Sequence, residues 1–115
     1  MENTTEKKSR KPSVSRMVED IVGCKWSLGV IQVVRANVTR PGAMQRELDG
    51  ISTKVLNERL TKMVRYGILS KEIFPEIPPH VEYHLTSFGE QFSKILDQIN
   101  TLQEQQTKDD SRISD

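Results

Sequence analysis

A chain of 115 residues with 35% hydrophobic and 29% charged side chains can build one domain with a modest core. No apolar run approaches the roughly 18–20 residues a membrane-crossing helix needs, and no apolar segment follows the charged N-terminus, so neither a membrane span nor a secretory signal is expected. The single cysteine, Cys24, excludes an internal disulfide framework and fits a reducing cytoplasm.

The formal net charge of +1 conceals a division along the chain. Residues 1–16 hold five Lys/Arg against two Asp/Glu, residues 25–71 nine against three, and residues 86–115 three against six. A basic centre beside an acidic end suggests a polyanion partner met by one face.

Residues 1–12 are polar and nearly free of large apolar side chains, and read as a disordered basic arm. The structured domain is expected over 13–106, with a polar, disordered tail over 107–115. Ser13 starts a short helix in which Val14, Met17, Val18, Ile21 and Val22 recur at helical spacing, and Gly23 ends it. A second helix over 25–36 is apolar on most sides, through Trp26, Leu28, Val30, Ile31, Val33 and Val34, and is expected at the centre of the core. Asn37 and Val38 break it. Thr39 can cap a short third helix with Pro41 in its first turn and Met44 and Leu48 as its buried pair.

Asp49-Gly50 then makes a tight turn into the stretch around which the chain is organised. Ser52 can cap a helix that stops at Gly67, a residue suited to the left-handed position past a helix end. Val55, Leu56, Leu60, Met63 and Val64 form its apolar stripe; Thr53, Lys54, Asn57, Glu58, Thr61, Lys62 and Arg65 form its other face. Two helices joined by a short glycine-containing turn make a helix-turn-helix.

After Gly67 the period changes. Runs through Ile68, Leu69, Ile73 and Phe74 and through Val81, Tyr83 and Leu85 read as strands, with Pro75, Pro78 and Pro79 in the loop between them. A hairpin directly after a recognition-type helix is a wing. Thr86 or Ser87 caps a last helix, where Phe88, Phe92, Ile95, Ile99 and Leu102, with Leu96 beside them, repeat close to a coiled-coil seam. The expected fold is therefore α+β and mostly α: a winged helix-turn-helix with extra N- and C-terminal dimerisation helices.

This order of elements places the N-terminal half of the helix over Ser52 to Tyr66 in a DNA major groove. Asn57 would read an adenine edge and Lys54 a guanine edge or a phosphate, with Ser52 and Thr53 beside them. Arg40, Gln45, Arg46, Arg59 and Lys62 would hold phosphates, and His80 is the candidate at the wing tip. A homodimer joined through Val14, Met17, Phe92, Ile95, Leu96, Ile99 and Leu102 would then need a palindromic operator. No catalytic, cofactor or metal constellation is expected. The chain has no Gly-rich phosphate loop, and His80 and His84, on alternating strand positions, would stand roughly 13 Å apart, too far to share a zinc ion. Two alternatives stay open: a protein-interaction adaptor without DNA binding, and a thiol-redox sensor using Cys24, which follows Gly23 at a helix start beside Lys25.

Over 23–88 the chain resembles the HxlR-type family of bacterial winged helix-turn-helix transcription regulators. The matching pieces are G-C-K-W at 23–26, L-D-G-I-S at 48–52, L-N-E-R-L at 56–60, Y-G-I-L at 66–69 and the hairpin run F-P-E-I-P-P-H-V-E-Y-H-L-T-S-F-G at 74–89. The resemblance implies a cytoplasmic homodimer, joined through its first and last helices, that binds double-stranded operator DNA and represses or activates nearby genes. The chain departs from the family in three places. Ser13 stands where many relatives have a redox-sensing cysteine, Cys24 stands where the motif has a second glycine, and R-P-G-A at 40–43 replaces the expected aromatic and acidic residues.

Overall fold

The computed structural model describes residues 11–113. In chain order its elements are α1 (Val14–Val22), α2 (Lys25–Arg35), α3 (Pro41–Glu47), α4 (Thr53–Arg65), β1 (Leu69–Phe74), β2 (His80–Leu85) and α5 (Ser87–Ile113). Most of the expected basic arm, residues 1–10, lies outside the described residues, as do residues 114–115 of the tail.

Local chemistry sets the helix ends. The Ser13 hydroxyl accepts from the Arg16 N–H at 3.2 Å, and the Ser52 hydroxyl from the Val55 N–H at 3.1 Å, each satisfying a donor that a helix start leaves unpaired. Helices α2 and α4 end alike. Asn37, with φ of 69°, donates to the Val34 carbonyl while Val38 donates to that of Val33; Gly67, with φ of 79°, donates to Val64 while Ile68 donates to Met63. A left-handed residue followed by this pair of reversed bonds is the Schellman ending, which favours glycine and tolerates asparagine. The start of α3 differs from expectation. Arg40, not Thr39, is its N-cap residue, and no side chain caps it. The Thr39 carbonyl instead accepts from the Tyr83 N–H at 2.8 Å, so the chain before α3 lies along β2.

The core forms where the apolar stripes meet. Helix α2 buries Val30, Ile31 and Val34, and α4 lays Leu56, Leu60 and Met63 against it, with Ile21 from α1 and Met44 from α3 closing two sides. Strands β1 and β2 pair antiparallel from Leu69 opposite Leu85 to Phe74 opposite His80, and the proline loop lies between them. At the foot of the hairpin the chain is tightly knotted. The Ile68 carbonyl accepts from the Thr86 N–H at 3.0 Å and the Thr86 hydroxyl at 3.2 Å; that hydroxyl also donates to the Gly67 carbonyl at 2.6 Å and accepts from the Gly89 N–H at 2.8 Å. Thr86 is thus the cap of α5.

Helix α5 runs to Ile113, past the expected end of the domain at 106. At ~1.5 Å per residue its 27 residues span roughly 40 Å. Residues 101–113 contain no Gly or Pro to stop it, and Leu102, three Gln, Glu104, Lys108 and Arg112 favour helix. Its apolar stripe splits in two. Phe92 and Leu96 are buried in the core of their own chain, while Ile95 and Leu102 are 41% and 67% exposed. The reason is angular: at about 100° per residue Leu96 lies only about 40° from Phe92, whereas Ile95 and Leu102 lie about 60° and 80° round the other way, enough here to turn one row inward and the other outward. A bidentate pair, Arg35 to Asp97 at 2.7 and 2.9 Å, ties the outer flank of α5 to α2.

Gly89 is the most closely crossed of the glycines. A Cβ there would lie 2.1 Å from the Ile68 carbonyl oxygen, a backbone atom that already accepts two bonds. Gly89→Ala is expected to destabilise the protein by about 2–4 kcal/mol through overpacking, read as a lowered urea midpoint. An unchanged midpoint would mean that this crossing is looser than the geometry implies.

Candidate nucleic-acid interface

Helix α3, the turn at Gly50 (φ 93°) and α4 form the predicted helix-turn-helix. A backbone bond from the Ile51 N–H to the Leu48 carbonyl, 3.1 Å, closes the turn, and buried Ile51 anchors it. Gln45 braces it from outside: its amide donates to the Ile51 carbonyl at 3.3 Å and pairs with the Thr53 hydroxyl at 3.1 Å. Two residues expected at DNA therefore hold the angle between the two helices.

The first turn of α4 carries no acidic residue, so the partial positive charge of the helix start is unopposed there. Lys54 and Asn57 are exposed, as is Arg46 on α3, and none of these three side chains bonds another described residue. Ser52 is exposed but its hydroxyl is engaged as the cap.

The other expected contacts divide. Lys62 reaches back to α1, 3.1 Å from Asp20, which also accepts from the Tyr66 hydroxyl at 2.5 Å. The Tyr66 bond, then Lys62, hold the Asp20 carboxyl below the ordinary carboxylate range. Arg59 is half-buried, with its Nε enclosed and unpaired, so it is not simply displayed on the exposed flank of α4. Arg40 remains exposed at 3.7 Å from Glu82.

His80 is held in the wing. It stacks on Phe74 with ring centroids 4.5 Å apart, and its two ring nitrogens face Glu76 at 3.3 Å and Glu82 at 3.4 Å. His84 bonds the same Glu82 at 3.0 Å. The His84 bond, followed by His80 and the Arg40 charge, keeps the Glu82 carboxyl below its usual range. The two imidazoles are thus gathered by one carboxylate lying between them on the same strand face. Glu72, across the sheet, completes a set in which it, Glu82 and His84 bring ligand-type atoms within 4.8 Å of one another. This acidic side of the wing had no signal in local sequence. Nor did the Asp20 cluster, whose partners lie 42 and 46 residues away.

The expected dimer residues fall in two groups. Met17, Phe92 and Leu96 are 2%, 1% and 5% exposed and belong to the core of one chain, so they are not free to meet a partner. Val14, Ile95 and Leu102 are exposed and Ile99 half-exposed, and Val22 and Phe88 join them.

Comparison with known proteins agrees with this architecture. The model of the HxlR-like helix-turn-helix family matches residues 21–111. An HTH-type transcriptional regulator of Synechocystis, sll1512, is 36% identical over 85 residues, which cover 74% of this chain and 63% of that protein. YtfH of Escherichia coli, another HTH-type transcriptional regulator, is 35% identical over 70% of this chain and 64% of its own. The matched region thus spans slightly less than two thirds of either relative. Among solved structures, a proposed MarR-family transcriptional regulator from Enterococcus faecalis V583 superposes with a TM-score of 0.76 at 32% identity, covering 86% of this chain and 89% of its own. The helix-turn-helix, the wing and most of α5 lie inside the matched span, and the chain belongs to the HxlR-like helix-turn-helix family.

Proposed function

We propose that this protein is a cytoplasmic, sequence-specific DNA-binding transcriptional regulator that acts as a homodimeric repressor on a palindromic or near-palindromic operator. The observation that carries this reading is the exposed, acid-free start of α4, where Lys54 and Asn57 bond to no other described side chain. Asn57 reads an adenine edge and Lys54 a guanine or a phosphate, since their donor and acceptor patterns match those edges in the major groove. Arg46, with Arg40 beyond it, holds the backbone and sets register without reading sequence. Gln45 and Thr53 act chiefly by fixing how α4 is presented. Arg59 and Lys62 support the helix from behind.

Dimerisation follows from α5. Its exposed row of Phe88, Ile95, Ile99 and Leu102, with Val14 and Val22 of α1, is an apolar surface that a second copy would cover. Two recognition helices related by a two-fold axis read half-sites about 34 Å apart, one turn of the duplex.

Three measurements test the reading. Binding to a cognate duplex, selected from random sequences, should weaken steeply with salt; no binding at low salt to any selected duplex would favour an adaptor role. Asn57→Ala should cost roughly 1–3 kcal/mol on the cognate duplex and little on random DNA, whereas Arg46→Ala should weaken both alike and reduce the salt slope by about one. Equal losses in the two variants would mean that the reading face is misplaced. In sedimentation the wild type should run as a dimer and the double variant Ile95→Glu/Ile99→Glu as a monomer. A monomeric wild type would remove the α5 interface.

A further inference from the structure

The hairpin register sets Glu72 of β1 directly opposite Glu82 of β2, and His84 follows Glu82 by two positions, so all three side chains leave the same face of the sheet. One ligand-type atom from each lies within 4.8 Å of the other two. Like charges directly opposite one another destabilise a strand pair. Arg40 offsets this only in part: it is exposed, and its Nε stands 3.7 Å from Oε2 of Glu82. That same oxygen is held by His80, whose Nε2 lies 3.4 Å away. The other ring nitrogen of His80 is 3.3 Å from Glu76, and the ring stacks on Phe74, so His80 is itself fixed. Oε1 of Glu82 is left toward His84, 3.0 Å from Nε2. Two ligand atoms bound to one ion at about 2.1 Å stand roughly 3.0–3.4 Å apart, so this pair already has the spacing of neighbours around a metal. An ion at the centre of a triangle with 4.8 Å sides lies about 2.8 Å from each corner (4.8 Å divided by √3). Zinc bonds of ~2.0–2.2 Å then require each ligand atom to approach by roughly 0.6–0.8 Å. Glu72 is exposed and His84 half-exposed, so both side chains are able to move. Spacing along β2 argues against an ion shared by His80 and His84; the register instead supplies a carboxylate from β1.

We propose that Glu72, Glu82 and His84 form a divalent-metal site on the wing that takes zinc or a similar transition ion, with His80 as the residue that positions Glu82. Imidazole beside carboxylate suits ions of this class. Calcium takes roughly six to eight oxygen ligands, which this face does not supply. Three protein ligands leave one tetrahedral position to water. His84 binds through Nε2 as the neutral tautomer with its proton on Nδ1. The ion lies between two carboxylates that otherwise repel, and their repulsion becomes attraction to a common charge. It also draws the charge of Glu82 away from Arg40, the residue before α3 that the proposed function sets against DNA phosphate. Arg40 is thereby freed, the wing becomes less acidic, and operator binding tightens. This last step rests on the proposed DNA binding; the metal site does not.

The untagged full-length protein, stripped of metal, tests both steps. Calorimetric titration with zinc chloride should show one ion per chain. His84→Ala and Glu82→Gln should each weaken binding about 100-fold or more, and His80→Ala roughly 10–100-fold, the range for a partner that orients a ligand. His80→Gln, which keeps a donor toward Glu82, should recover most of that loss; full zinc affinity in His80→Ala would remove the positioning role. Glu72→Gln, at an exposed position, keeps the test open if a β2 variant fails to fold, and should weaken binding at least about tenfold. Zinc should raise the thermal midpoint of the wild type and leave that of Glu72→Gln/His84→Ala where it is. No zinc uptake by the wild type, or uptake that survives in this double variant, would overturn the site. Loss of uptake in Cys24→Ser would assign the ion to the thiol and overturn it as well. Saturating zinc should tighten binding to the selected operator about fivefold or more in the wild type and not in His84→Ala. Zinc uptake without that change would overturn the coupling alone. Absence of DNA binding both with and without zinc would instead overturn the proposed function, and calorimetry would still decide the site.

Discussion

The carbonyl of Ile68 is the point on which three functional parts of this protein converge. It follows the glycine that ends α4, precedes β1, and is bonded by both the backbone and the hydroxyl of Thr86, where β2 passes into α5. Gly89 lets the first turn of α5 come against that carbonyl, since any side chain there would collide with it. The exit of the recognition-type helix, the foot of the wing and the start of the long terminal helix are therefore fixed relative to one another by a few backbone contacts. In the proposed dimer, a rigid junction of this kind would let an axis set by α5 determine where two reading helices fall. A 1 Å slip at the knot would be magnified along a helix roughly 40 Å long.

Charge is distributed by pairing as much as by composition. The central stretch is strongly basic, yet Lys62 is held by Asp20, Arg35 by Asp97, and Arg59 is turned inward. What remains exposed on the helix-turn-helix is a narrower set around Arg46 and Lys54. Such an arrangement separates two tasks. Cations tied to acids fasten α1 and α5 to the core, while unpaired ones keep their full charge for a polyanion. The wing shows the reverse balance, with Glu72, Glu76 and Glu82 around two histidines, so the basic face ends where the hairpin begins.

Much of this was legible in the residues. Ser13 and Ser52 as caps, Asn37 as a break, Gly67 as a stop, the apolar stripes of α2 and α4, and the proline-bounded hairpin all follow from preferences that act within a few residues: capping, left-handed backbone and period of hydrophobicity. Their order identified the winged helix-turn-helix. Tertiary structure alone decided which side of a stripe faces inward and which partner a charge finds. Periodicity could not show that Phe92 and Leu96 belong to the core while Ile95 and Leu102 face out, because a single apolar stripe looks the same whether one surface or two will cover it. Nor could it show that Lys62 and Arg59 point away from the exposed flank of α4, or that Thr39 would give its carbonyl to β2 and leave α3 without a side-chain cap. Those outcomes depend on partners more than thirty residues away, which approach only once the core has folded. The sequence by itself therefore determined the elements and their order, since these are local free energies; the fold determined which side chains are left free to act.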